Sequence, residues 1–128
     1  MFTSIYYHTE AGRKPAKDFL NSCDSKTYAK FVTQKDRVEE HGTKLGPDHI
    51  EKITGPLYEL KVVSELDVRV FCFFYYKNKY SDQHFMVFTD GLIKKTNKLP
   101  KAAIKTNLLR INDFMRRVEQ GKIKLKKT

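Results

Sequence analysis

At 128 residues, with 40% hydrophobic and 31% charged side chains, the chain has the size and composition of one ordinary soluble domain and not of a disordered segment. No apolar run approaches the about twenty residues a membrane span needs, and the longest, 68–76, is interrupted by Arg69. The formal net charge of +10 is lopsided: residues 1–64 hold ten Lys/Arg against nine Asp/Glu, and residues 65–128 hold fifteen against six. A half so basic suits a polyanion partner (nucleic acid, an anionic membrane surface or an acidic protein), or simply a solvated surface.

The N-terminal Met1-Phe2-Thr3-Ser4 has neither a basic n-region nor a cleavable apolar segment, so a cytoplasmic protein is expected. Residues 3–8 alternate and are rich in β-formers, which predicts a first strand. Pro15 then opens a short helix carrying Ala16, Phe19 and Leu20 and ending near Asn21-Ser22. Asp24 or Ser25 can cap a second helix, in which Tyr28, Phe31, Val32, Lys35 and Val38 recur at three and four residues up to His41-Gly42. Two helices joined so tightly predict an antiparallel hairpin. Residues 45–55 read as a loop with a short turn at 49–52.

Three strands are expected next, at Leu57–Val63, 68–76 and 83–89, with a hairpin turn at 77–82. In the first, Tyr58, Leu60 and Val62 share one face and Glu59 and Lys61 the other. The second is apolar on both faces apart from Arg69, which marks it as central. Residues 90–100 form a lysine-rich connection, and Pro100 opens a last helix with an Ile104, Leu108, Ile111, Met115 and Val118 stripe, ended by Gly121. The predicted domain is residues 1–121, followed by a basic tail at 122–128. Cys23 and Cys72 are widely spaced and form no metal-ligand pattern, so they read as small buried hydrophobes, and no metal or other cofactor is expected. The order β-α-α-β-β-β-α makes an α+β domain: an antiparallel-rich sheet with a helix hairpin packed on one face and a C-terminal helix.

Charges inside apolar strands carry the chemistry. Arg69 costs desolvation unless it is paired or lines a groove. Glu59 lies one strand away, so a cross-strand Glu59–Arg69 ion pair is one reading and a ligand site the other. Lys94, Lys95 and Lys98 leave the last strand close together and could hold a phosphodiester, or merely solvate a linker. No Walker, GxGxxG, HExxH or GxSxG motif is present.

The segments Gly55-Pro56-Leu57-Tyr58-Glu59-Leu60-Lys61-Val62, Val68-Arg69-Val70-Phe71 and Gly91-Leu92-Ile93-Lys94-Lys95-Thr96-Asn97-Lys98-Leu99-Pro100 resemble the RelE/HigB-like toxins of type II toxin–antitoxin systems, nearest the phage-derived HigB-like branch. The resemblance follows the element order of the whole chain and is most specific between Gly55 and Pro100. It implies a RelE-like fold and a ribosome-dependent mRNA endoribonuclease that inhibits translation. It also implies partners: mRNA in the ribosomal A site, ribosomal RNA, and an antitoxin of the helix-turn-helix HigA-like kind. On this resemblance the catalytic residues are Glu59, Lys61, Arg69, Lys94 and Lys95, with RNA contacts from Tyr58, Phe71, His84, Thr96 and Lys98. The chemistry is attack of the RNA 2′-hydroxyl on the adjacent phosphate, which needs a proton acceptor, a proton donor for the leaving 5′-oxygen and cations for the developing charge. Glu59 or Lys61 is the expected base. The chain departs from the family in having no tyrosine after Tyr80, so no C-terminal tyrosine role carries over. Two alternatives stay open: a ParE-like inhibitor of DNA gyrase, and a protein on the same fold that binds RNA without cutting it.

Overall fold

The computed structural model describes residues 1–77 and 83–125. In chain order these form β1 (Phe2–Tyr6), α1 (Pro15–Ser22), α2 (Ser25–His41), a 3-10 turn (Gly42–Leu45), β2 (Ile50–Thr54), β3 (Leu57–Val63), β4 (Asp67–Tyr76), β5 (His84–Ile93) and α3 (Lys101–Glu119). Pro15 starts α1 with its preset φ, and the Asp24 side chain accepts the Thr27 N–H at 2.7 Å to cap α2.

The five strands lie in the order β1-β5-β4-β3-β2. Neighbours are antiparallel except β1, which runs parallel to β5. The helix hairpin covers one face, where Leu20, Phe31 and Val38 pack on Leu60, Val62, Val70, Cys72 and Phe88. Helix α3 covers the other, where Ile111 and Phe114 pack on Phe71, Phe73, Phe85 and Val87. The sheet is thus the middle of three layers, and β4 is buried on both sides, which is why its sequence is almost continuously apolar. The expected α+β class and hairpin are what form.

Three readings are corrected. Residues 50–54 are a strand and not part of a loop. Ile50 enters the hairpin-side core and Ile53 the α3-side core, so their three-residue spacing serves two faces and mimics a helical turn. A register shift between Lys52 and Thr54 blurs the alternation further. Gly55, at φ 52°, then closes the tight β2–β3 turn.

Strand β5 also runs on to Ile93 instead of ending at Thr89. Phe71 pairs with Asp90 and Cys72 with Phe88, so Thr89 is an extra, bulged residue. Its hydroxyl donates to Asn107 Oδ1 at 2.6 Å, while Asn107 Nδ2 donates to the Ala103 carbonyl at 2.7 Å. Arg110 reaches the Thr89 carbonyl at 3.2 Å and Asp90 Oδ2 at 2.5 Å. Helix α3 therefore clamps the bulge. Gly91 sits where a Cβ would meet the Phe19 ring at 2.3 Å, so the α1 contact demands glycine.

In α3, Met115 faces solvent and Phe114 takes its place in the core. Of the tail, Ile123 and Leu125 pack against the α3-side core. Of the predicted turn at 77–82 and tail at 122–128, residues 78–82 and 126–128 lie outside the described residues.

Candidate functional site

Register places Lys61 opposite Arg69 and Arg69 opposite Leu92, a row across β3, β4 and β5 on the α3-side face of the sheet. The Thr89 bulge decides what joins them. Without it, Leu92 and Lys94 would continue the phase of Met86 and Phe88 toward the helix hairpin. With it, Gly91 turns to the hairpin and Leu92 to the Arg69 side, and Lys94 follows Leu92. The Lys94 N–H donates to the Asp67 carbonyl at 2.7 Å, which fixes the strand end beside β4.

The cations do not stand free. Arg69 is 8% exposed. Its Nε donates to Asp67 Oδ1 at 2.9 Å, its second terminal nitrogen to Asp67 Oδ2 at 3.3 Å, and its first to Glu59. Glu59 is 4% exposed, so that half of the arrangement is a buried ion pair. Lys61 Nζ lies 2.9 Å from Glu51 Oε1 at the open edge of the site. The Lys61 hydrogen bond holds the Glu51 carboxyl below its usual range, helped by the charges of Lys61, Arg69 and Lys94. Asp67 is held down mainly by the Arg69 hydrogen bond, with Arg69, Lys94 and Lys61 adding their fields. Three cations and three carboxylates thus share one corner, and each of the three guanidinium nitrogens has a carboxylate partner.

The structure brings Glu59, Lys61, Arg69 and Lys94 together. Lys95 and Lys98 project from an exposed bend, where the Thr96 hydroxyl donates to the Lys98 carbonyl at 2.9 Å. Of the other three expected RNA contacts, Tyr58 and His84 lie elsewhere and Phe71 lies beside Glu59 beneath α3. Tyr58 is on the opposite, hairpin face, its ring edge-on to Phe74 at 5.2 Å. Phe71 is 1% exposed within the α3-side core and offers no face to a base. His84 pairs with Tyr76, seven positions along β4 from Arg69 or about 23 Å, and packs on Phe2 and Tyr76. Tyr58 is out of phase with Glu59 and His84 is at the far end of the antiparallel pair, whereas Phe71 shares the Arg69 face and is covered there by α3.

Two acidic partners were not anticipated. Asp67 stands two residues before Arg69 on one strand, hence on its face, a signal legible from spacing alone. Glu51 becomes visible only once Ile50–Thr54 is a strand, because Glu51 then falls opposite Glu59. Among the described residues no group of three or more His, Cys, Asp or Glu is placed to hold a metal ion. Among the same residues no helix is long and apolar enough to cross a membrane.

Fold and site together define a small basic α+β protein whose sheet gathers compensated charges at one corner, where an anion could replace a carboxylate. Residues 18–112 match the family described as Phage derived protein Gp49-like (DUF891), and the chain belongs to that family, which is related to RelE-type toxins. No curated protein matches the chain significantly.

Proposed function

We propose that the chain is the toxin of a type II toxin–antitoxin pair, of the RelE/HigB-like kind, acting as a ribosome-dependent mRNA endoribonuclease. The observation that carries this reading is the convergence of Lys61 on β3, Arg69 on β4 and Lys94 just past the end of β5 on one side of the sheet, with the Thr89 bulge setting the side of Lys94. Membership of the Gp49-like family supports the toxin class.

In the proposed reaction the RNA 2′-oxygen forms a bond to the adjacent phosphorus while the bond to the 5′-oxygen breaks. The products are a 2′,3′-cyclic phosphate and a 5′-hydroxyl. A proton leaves the 2′-hydroxyl and another reaches the 5′-oxygen. The scissile phosphate takes the place of Asp67 on the Arg69 fork, because the Asp67 side chain is 40% exposed and free to swing out whereas Glu59 is not. Glu59 then acts as a positioning residue that holds Arg69. Lys94 supplies positive charge and the proton for the 5′-oxygen, and Lys95 adds only its field from the exposed segment that follows. Lys61 and Glu51 form the remaining acid–base pair at the site, and Glu51 is the carboxylate open to accept the 2′-hydroxyl proton. mRNA in the ribosomal A site, ribosomal RNA and a helix-turn-helix antitoxin are the partners of this reading, and the cytoplasm its location.

Lys94→Ala is the informative variant, since Lys94 is half-buried at the site's rim and outside the buried ion pair. Added to translating ribosomes, the wild-type chain cuts message at defined codons. Lys94→Ala lowers the cutting rate at least tenfold with an unchanged Tm. Intact message with the wild-type chain, alongside loss of gyrase supercoiling, points to the ParE-like function instead.

A further inference from the structure

Beyond the sheet corner, a second basic feature lies around the open end of β3. Strand β2 stops pairing at Ile50–Leu60, which leaves the outer edge of residues 61–63 without a strand neighbour. Other groups take its place. The Lys61 N–H donates to the His49 carbonyl at 2.8 Å, Gln34 Nε2 donates to the Lys61 carbonyl at 2.8 Å, and Lys30 Nζ donates to the Val63 carbonyl at 3.2 Å. Between this edge and α2 runs a groove of about 290 Å³, lined by Lys30, Thr33, Gln34, Arg37, Asp48, His49, Lys61 and Val63. That volume is at the lower end of the range for small-ligand pockets, room for about one nucleotide unit.

We infer that this groove is a second phosphate-backbone subsite, holding single-stranded RNA next to the segment at the Arg69 corner. The inference rests on the RNA reading above and extends it to a path. Three observations carry it. Lys30, Arg37 and Lys61 oppose one carboxylate, Asp48, among the lining residues. Lys61 belongs to both places, with its ammonium on Glu51 at the corner and its carbonyl on Gln34 at the groove, so a strand leaving the corner on the α3 side reaches the groove on the α2 side by rounding the open edge of β3 at Lys61. The hydrogen bonds also orient the polar wall. Because the Lys61 carbonyl only accepts, the Gln34 amide must present its nitrogen there and its oxygen to His49 Nδ1, 3.2 Å away, so Nδ1 carries the proton. This wall holds fixed donors and cations and is already closed to main-chain pairing. A peptide adding as a strand would find the Lys61 N–H and carbonyl and the Val63 carbonyl occupied, whereas a sugar–phosphate chain needs only the charges.

The test uses the full chain and 2′-O-methylated RNA oligomers that cannot be cut, a trimer and an octamer, followed by fluorescence anisotropy from 50 to 200 mM salt. The double variant Lys30→Gln/Arg37→Gln is expected to weaken octamer binding about tenfold and to flatten its salt slope by about 1.4, the phosphates on either side of the nucleotide in the groove at about 0.7 each, while trimer affinity and Tm stay unchanged. Equal octamer affinity and equal slope in variant and wild type overturn the subsite, even if the wild type cuts message on ribosomes. Octamer binding that needs Lys30 and Arg37 in a chain that cuts no message keeps the subsite and overturns the nuclease reading. Binding of a glutamate-rich peptide that depends on Lys30 and Arg37, with no such dependence for RNA, assigns the groove to a protein partner and overturns the inference.

Discussion

The Arg69–Glu59 pair sets a limit on how the site can be probed. Arg69 and Glu59 are both buried, and removing one member of a buried pair leaves the other charge uncompensated, a loss of roughly 3–5 kcal/mol. Arg69→Ala is therefore expected to unfold at markedly lower urea than the wild type, with the midpoint read by circular dichroism, and its inactivity says little about phosphate binding. Asp67→Ala separates the two roles, because Asp67 is half-exposed and its loss leaves Glu59 to hold the guanidinium. It is expected to change stability by under about 1 kcal/mol and to tighten RNA binding, since an anion no longer displaces a carboxylate from the fork. Weaker binding in Asp67→Ala would mean that Asp67 positions Arg69 and does not occupy its ligand face. The charge at this site was legible as Arg69 in an apolar strand. Its compensation was only half legible, because Glu51 depends on a strand that the isoleucine spacing hides.

At the scale of elements, one residue in excess governs the site. A strand read by strict alternation from Phe85 puts Lys95, not Lys94, beside Arg69. Thr89 reverses that, and its hydroxyl is anchored by Asn107, which is fully buried in α3. A bulge leaves no composition signal, so the strand beyond it reads as a lysine-rich linker. The α3 stripe misleads in a related way: Asn107 and Arg117 are polar at buried positions because they bond to Thr89 and to the His8 carbonyl, while Met115, apolar, is exposed. Asn107→Ala leaves the Thr89 hydroxyl buried and unpartnered, at about 1–3 kcal/mol. It is expected to lower the Tm and, by loosening the bulge that aims Lys94, to reduce message cleavage more than RNA affinity. A Leu108→Ala variant is the control, losing stability through packing alone without moving the ratio of cleavage to binding.

Across the whole molecule, the α+β class and the helix hairpin were legible because α2 and β3 carry periods that match their elements, and β4 is apolar on both faces. The long-range tie that closes the fold was not, since its members are ordinary polar residues far apart in sequence. The Tyr7 hydroxyl donates to Asp113 Oδ2 at 2.7 Å, Arg117 bonds Asp113 at 3.0 Å, and Arg117 also bonds the His8 carbonyl at 2.6 Å. The end of the first strand is thereby fastened to the last helix. Burial, then the hydrogen bond to Asp113 and its charge, push the Tyr7 phenol from 10.0 up to about 12. A raised folded-state value means that the native chain holds this proton more tightly than the unfolded chain. The stabilisation is complete below about pH 10 and disappears as pH rises toward about 12. Urea unfolding of the wild type should weaken across that window. Tyr7→Phe should start lower at pH 8, by about 1.5–3 kcal/mol for a hydrogen bond to a charged group, and lose less on going to pH 11. Parallel alkaline limbs in the two proteins would show that the loss comes from other groups, the lysines of this strongly basic chain foremost, and that the Tyr7–Asp113 tie contributes nothing to it.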